Sequence, residues 1–276
     1  MHRVWGGDHV MDRGRIGATA LRAALIATVR QRSAQARIAP ELATLDVCAF
    51  ARARLAPMVG GLFPPNEREP VLTVLAGSLV FPTHDNIDSV LTGTPWLSTA
   101  WDLANLYLDS IDADLLSDDA PRIAGLSEGS TCYISMAYFE EQSPFDDFVV
   151  HEAAHIFHNC KRETLGLPEI RGREWLLDID FRKRETFAYA CETYSRIIAN
   201  GHGLAARKSL LAHYAQETMP APSELDAREY LDILAEAVAA RNGWKRILER
   251  CSRRKQRNFA KPLIPMERVK GIEPSS

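Results

Sequence analysis

Several familiar features are missing from this sequence, and each absence excludes a class of protein. Its apolar runs all fall short of the roughly 20 residues that cross a bilayer, so no membrane-spanning protein is expected. Lys and Arg total 33 against 36 Asp and Glu, giving a formal net charge of −3 without the basic excess of nucleic-acid binders. The five cysteines are scattered and form no C-x-x-C pair. We therefore expect a reduced, cytoplasmic setting rather than a disulfide framework.

The N-terminal part gives only a partial signal-peptide pattern. Residues 16–29 are apolar and follow basic residues, but Arg22 interrupts them and no small-x-small cleavage site follows. We predict a flexible N-terminus over 1–14, one domain over 15–250, and a basic, disordered tail over 251–276.

Apolar periodicity and residue type give a coarse secondary-structure prediction. Helices are predicted over 15–39 and from Pro40 to about Gly60. Strands are predicted over 71–81 and 131–139, which are rich in branched and aromatic residues. The resulting fold class is α+β, mostly helical with a small sheet.

The sequence carries an H-E-x-x-H motif, formed by His151, Glu152 and His155. On an α-helix, residues four apart lie one turn above each other. The two imidazoles can therefore bind one metal ion from the same face. Glu152 is then placed to accept a proton from water at that metal, as in zinc hydrolases.

The residues before the motif predict where its helix begins. Ser143 is a good N-cap and Pro144 suits the first helical position. Phe145, Val149 and Ile156 recur at helical spacing and predict a buried stripe. The two histidines lie at one edge of that stripe, where a cleft beside the core is expected.

A zinc site of this kind needs a third protein ligand and an open position for water. The candidate is Glu185, at the start of a helix predicted over 184–194. Its apolar side is expected to pack against the motif helix. Glu192, Asp178 and Asp180 are alternative ligands, although capping or solvation is the simpler role for the two aspartates.

Two polar residues follow the motif directly. His158 lies one turn past His155, and Cys160 comes two residues later. Either residue type binds zinc. His158 could instead contact a metal ligand without binding the ion itself. A solvated position at the helix end is the simpler expectation.

The helix of Glu185 resembles a segment of known zinc peptidases. The sequence E-T-F-A at 185–188, with Glu192 seven residues after the first Glu, resembles the E-x-F-A-x-x-x-E helix of the Mlc titration factor family. It is also similar to the E-x-F-A segment of the anthrax lethal factor catalytic domain. Both belong to the gluzincin type, and the resemblance covers about 131–198. It implies two histidine ligands, a glutamate ligand and a general base, at His151, His155, Glu185 and Glu152.

The resemblance implies a zincin-like metallopeptidase domain that contains Zn²⁺ and acts on a peptide or protein. No nucleic-acid or membrane partner is expected. By analogy with such enzymes, the strand over 131–139 is the candidate edge strand for pairing with extended substrate. Tyr189 and His202 are candidates for stabilising an oxyanion. The alternative function is a zinc-binding regulatory protein with little catalytic turnover.

Overall fold

The protein is described by a computed structural model over residues 10–34, 39–140, 143–168, 170, 173–216 and 225–252. Within these ranges the fold is α+β and mostly helical, with a small sheet, which confirms the predicted class. The α-helices found there are α1 (Val10–Arg32), α2 (Pro40–Ala43), α3 (Val47–Leu62), α4 (Pro65–Ser78), α5 (Ile87–Gly93), α6 (Leu97–Asp109), α7 (Phe148–Asn159), α8 (Arg184–Asn200), α9 (Leu204–Tyr214), α10 (Ala227–Ala239) and α11 (Gly243–Cys251).

The sheet has three short strands: β1 (Leu79–Val80), β2 (Gly125–Glu128) and β3 (Thr131–Ile134). Their order is β1-β3-β2, with β3 parallel to β1 and antiparallel to β2. A two-residue turn joins β2 to β3, and its Gly129 has a φ of 61°, a left-handed conformation that glycine adopts without strain. Both β2 and β3 pack against α7.

Two groups of buried apolar side chains form the interior. The larger joins α3, α4, α7, α8, α10 and α11, and the smaller joins α1, α5 and α6. Because α7 and α8 both contribute to the larger group, the core fixes how the two helices of the candidate site lie against each other.

The strand predicted over 71–81 is wrong, because most of it is helical. Pro65 occupies the first turn of α4, where a missing N–H costs nothing, and the helix continues to Ser78. Val71 and Leu75 lie one turn apart and are both buried, so packing of this face outweighs the strand preference of valine. Only Leu79–Val80 is extended.

The strand predicted over 131–139 is correct for its first half only. β3 ends at Ile134, and a 3₁₀ helix follows over Met136–Phe139, capped by Ser135. The expectation that this strand forms a sheet edge is wrong, because β3 pairs on both sides. In the part of the chain that the structure describes, β2 is the strand beside α7 with an unpaired edge.

The predicted boundaries near the N-terminus also differ from the structure. α1 begins at Val10, inside the range predicted as flexible, and ends at Arg32. The helix predicted from Pro40 is two helices, because Asp46 caps a new one through Ala49 N–H. Residues 1–9 and most of the predicted tail, 253–276, lie outside the described residues.

The cysteines and the apolar character of the helices can be compared with the expectations from sequence. All five cysteines are free thiols. Among the helices in the described ranges, none combines the length and apolar character needed to cross a membrane.

Candidate metal centre

The motif helix, α7, begins four residues later than its sequence predicts. Asp147, rather than Ser143, is the N-cap, and its carboxylate accepts a hydrogen bond from Val150 N–H. The same carboxylate is fully buried and forms an ion pair with Arg54 of α3. A cap held by a partner from another helix prevails over the local signal at Ser143 and Pro144.

The structure brings His151, His155 and Glu185 together. The two Nε2 atoms lie 3.2 Å apart, and oxygens of Glu185 lie 3.8 Å from His151 Nε2 and 3.7 Å from His155 Nε2. One potential ligand atom from each residue lies within 4.8 Å of the others. This is the arrangement that the H-E-x-x-H spacing and a glutamate on a second helix predict.

Glu185 reaches the histidines because α8 packs closely on α7. It lies in the first turn of α8, as predicted, while Phe187, Ala188 and Cys191 face the core and are almost fully buried. The packing of α8 against α7 is among the most extensive between helices of the described chain. Side-chain packing therefore sets the distance between the carboxylate and the two imidazoles.

The orientation of the His151 and His155 rings shows whether a cation can lie between their Nε2 atoms. His151 Nδ1 lies 2.9 Å from Glu192 Oε2 and His155 Nδ1 lies 3.5 Å from His158 Nε2, so both rings turn their Nε2 atoms towards each other. At 3.2 Å only one proton fits between these two nitrogens. A cation in its place binds both lone pairs, and donors about 2.0–2.1 Å from a tetrahedral zinc ion are separated by about 3.3 Å.

The surroundings of His155 favour its neutral form, which is the form that binds a metal ion. Burial, together with the positive charges of His151, His158 and Arg184, lowers the pKa of His155 to about 2. Burial also lowers the pKa of His151, but the hydrogen bond and charge of Glu192 outweigh it and raise that pKa overall. A metal ion therefore competes with a proton mainly at His151.

Glu192 is a partner of a histidine rather than a metal ligand. One oxygen contacts His151 Nδ1 at 2.9 Å, and the other accepts the Asp147 backbone N–H at 2.8 Å. The alternative ligand Asp180 instead caps a 3₁₀ helix (Phe181–Lys183), as its simpler role predicts. Neither Asp178 nor Asp180 lines the cleft.

Replacing Glu192 by Gln is expected to weaken zinc binding about 10- to 100-fold, the usual effect of losing the partner that orients a histidine ligand. Asp147 N–H and His151 Nδ1 contact different oxygens of Glu192, so in the amide one of them would face an NH₂ group, which cannot accept a hydrogen bond. Zinc affinity measured by competition with a chelating dye tests this. Glu249→Gln, on the exposed side of α11, is the matched control, and equal affinities for the two variants would contradict the assigned role.

Glu152 follows His151 on α7, lines the same cleft and packs against Gly125 of β2. The cleft has a volume of about 880 Å³, and its lining includes Glu152, the three candidate ligands, and Gly125 and Ser127 of β2. Burial raises the pKa of Glu152 to about 7, against the opposing influence of His151 and of a hydrogen bond from Ser127. A carboxyl group with a pKa near neutrality is suited to exchanging protons in a reaction.

The absence of a side chain at position 125 makes room for Glu152. A Cβ atom at Gly125 would lie 2.7 Å from Glu152 Cγ and 2.8 Å from its Oε1. Gly125→Ala is therefore expected to displace the carboxylate and lower kcat/KM about 100-fold, the effect of misplacing a catalytic group by about 1 Å, with metal content unchanged. Gly77→Ala, where no atom lies within 4 Å of the new Cβ, should leave activity intact. Equal rates for both variants would exclude close fitting at Gly125.

The remaining candidates divide between the cleft and the rest of the fold. The expectation that His158 is solvated is wrong: it is buried and lines the cleft, because the chain after α7 folds back and Leu177 N–H bonds to the Phe157 carbonyl. Cys160 is buried away from the cleft lining. The ring of Tyr189 packs 4.5 Å from that of His151, between centroids.

His202 is exposed in the loop after α8 and does not line the cleft. Its position therefore gives no support to the predicted role in stabilising an oxyanion. Tyr189 does line the cleft, so of the two candidates it is the one that can approach a reacting group.

Several residues of the cleft were not predicted from the sequence. Ser127 and Gly125 lie more than twenty residues before the motif, and nothing in their local sequence marks them. Arg182 and Arg184 also line the cleft. Only Arg184 carried a usable signal, since it directly precedes Glu185.

Comparison of the chain with protein-family models, with curated proteins and with solved structures found no match. The resemblance to gluzincins over 131–198 therefore stands on the motif residues alone. The geometry of those residues supports the resemblance. Two histidines, a candidate glutamate ligand and a candidate base line one cleft.

Proposed function

We propose that the protein is a zinc-dependent hydrolase that cleaves peptide bonds, with a gluzincin-like, zincin-type core. One observation carries the proposal. His151, His155 and Glu185 converge from two helices, their ligand atoms within 4.8 Å of one another, while Glu152 lies in the same cleft. Two imidazoles, one carboxylate and an open side are the donor set of catalytic zinc sites.

His151, His155 and Glu185 would hold the ion. When bound, zinc supplies a Lewis acid that polarises a carbonyl group and lowers the pKa of water. Glu152 takes a proton from the attacking water molecule as the water oxygen bonds to the carbonyl carbon. Glu152 then gives that proton to the leaving amine nitrogen as the C–N bond breaks. Since a nearby positive charge lowers a carboxyl pKa, ion binding favours the base form of Glu152.

The unpaired edge of β2 supports a peptide as the substrate. Among the described residues β2 pairs with β3 on one side only, and its Gly125 and Ser127 line the cleft next to Glu152. An extended peptide can add to such an edge through main-chain hydrogen bonds, with pockets selecting side chains. β2, rather than the strand predicted from sequence, is the proposed substrate strand.

Elemental analysis of protein purified without a metal-binding tag is the first test, and about one zinc per chain is expected. Zinc-loaded protein should then cleave a mixed peptide library, and cleavage should stop when a chelator is added. Absence of metal even after incubation with zinc would refute the proposal. Bound zinc without any cleavage would favour the regulatory, zinc-binding alternative.

The free cysteines agree with the cytoplasmic setting that we propose.

A further inference from the structure

Three arginines bring positive charge to the described lining of the cleft. Arg122, Arg182 and Arg184 line it, and the acidic residues of its described lining are Glu152, Glu185 and Glu192. Those three carboxylates have roles at the ion, at the reacting water or at His151. The rest of the cleft therefore presents positive charge, which attracts an anionic group.

The three arginines differ in whether their charge is already neutralised. Arg122 forms an ion pair with Asp109, at the end of α6. Within the described ranges, neither Arg182 nor Arg184 forms an ion pair with a carboxylate. These two side chains flank the start of α8, next to the candidate ligand Glu185.

Arg184 has both the geometry and the free donor of an anion-binding residue. Its guanidinium carbon lies 4.8 Å from the centre of the exposed Phe181 ring, a stacking contact that holds the guanidinium in place. Its Nε is buried and has no hydrogen-bond partner in the described part of the chain. A buried N–H without a partner is unfavourable, so an acceptor oxygen brought by a ligand would satisfy it.

The start of α8 adds to this positive potential. Lys183, the N-cap residue, provides no side-chain hydrogen bond to the first turn. The dipole of α8 also favours a negative charge close to Arg184, its first residue.

We propose that Arg184, assisted by Arg182, binds a carboxylate of the substrate close to the scissile bond. The inference rests on the proposed peptide hydrolysis and adds its substrate class, acidic peptides. A guanidinium matches a carboxylate with two parallel hydrogen bonds. The carboxylate belongs either to an Asp or Glu side chain or to the free C-terminus of the peptide.

Three kinds of synthetic peptide, otherwise identical in sequence, test the proposal and distinguish the two sources. One is neutral with both ends blocked, a second set has Glu at each position in turn, and a third has a free C-terminal carboxylate. Cleavage is measured with the zinc-loaded wild type, and binding with zinc-loaded Glu152→Gln. Arg184→Gln, Arg184→Lys and the exposed Arg228→Gln on α10 are then made in both backgrounds, with zinc content measured for each.

Arg184→Gln is expected to lower kcat/KM and affinity for the preferred acidic peptide about 10- to 100-fold. The neutral peptide should change less than about twofold, Arg184→Lys should fall between, and Arg228→Gln should resemble wild type. Preference for the internal Glu or for the free C-terminus identifies the source. Equal handling of neutral and acidic peptides by the wild type, or an equal loss for both in Arg184→Gln, would overturn the proposal while leaving peptide hydrolysis intact. Arg184-dependent binding of acidic peptides without any cleavage would instead reject the hydrolase and keep the carboxylate site.

Discussion

Glu152→Gln is expected to slow peptide hydrolysis at least about 100-fold while zinc content stays at about one ion per chain. The amide keeps the size of the side chain under β2 but cannot accept and return a proton, and loss of general acid–base catalysis lowers rates by about 10²- to 10⁴-fold. Rates on the peptides cleaved by the wild type, together with elemental analysis, measure both effects.

The matched control for this variant is Glu163→Gln, an exposed glutamate in the 3₁₀ helix over Arg162–Leu165, outside the cleft. It should behave like the wild type. Hydrolysis by Glu152→Gln at the wild-type rate would remove Glu152 from the mechanism. Loss of zinc in the same variant would instead show that Glu152 is part of the ion site.

His155→Ala is expected to remove the ion and the stability that the ion provides. A ligand that binds only the folded state, at a thousandfold excess over its Kd, stabilises it by about 4 kcal/mol. For a chain of this size that corresponds to a rise in Tm of roughly 10 °C. Wild-type protein should therefore melt at a lower temperature after a chelator is added, whereas His155→Ala should melt at one temperature with or without zinc.

His202→Ala is the control for the loss of a histidine, because His202 is exposed in a loop outside the cleft. It should keep both the zinc and the zinc-dependent rise in Tm. Stoichiometric zinc in His155→Ala would place the ion elsewhere. A wild-type Tm that does not respond to zinc would contradict binding at this centre.

The motif itself was the part of the site most accessible from sequence. A spacing of four places His151 and His155 on one helix face, and an apolar stripe around them predicts a helix packed on the core. Glu185 was found because it begins a second helix with a recognisable pattern. Local sequence is sufficient for such features, since they depend on the geometry of single helices.

Features that depend on residues distant in sequence were predicted less well. The start of α7 is set by Asp147, whose carboxylate meets Arg54 from α3, and no local signal reports that partner. His158 is buried because the segment after α7 returns across it. Gly125 reaches the cleft only through the pairing of β2 with β3. The strand predicted over 71–81 was wrong because packing of α4 against α3 decides between two conformations that its composition permits.

The contact between His151 Nδ1 and Glu192 also bears on which ions can compete for the site. It turns His151 Nε2 towards the centre, where this atom and His155 Nε2, 3.2 Å away, make two of the three candidate protein donors nitrogen atoms. Calcium and magnesium are hard ions that prefer shells of roughly six to eight oxygens, so even a large excess of magnesium should compete poorly. Among the softer divalent ions of the first transition row, affinity generally rises towards copper. Among these ions, the concentration of each free metal ion in the cell, rather than the ligands of the site, is expected to decide which one is bound.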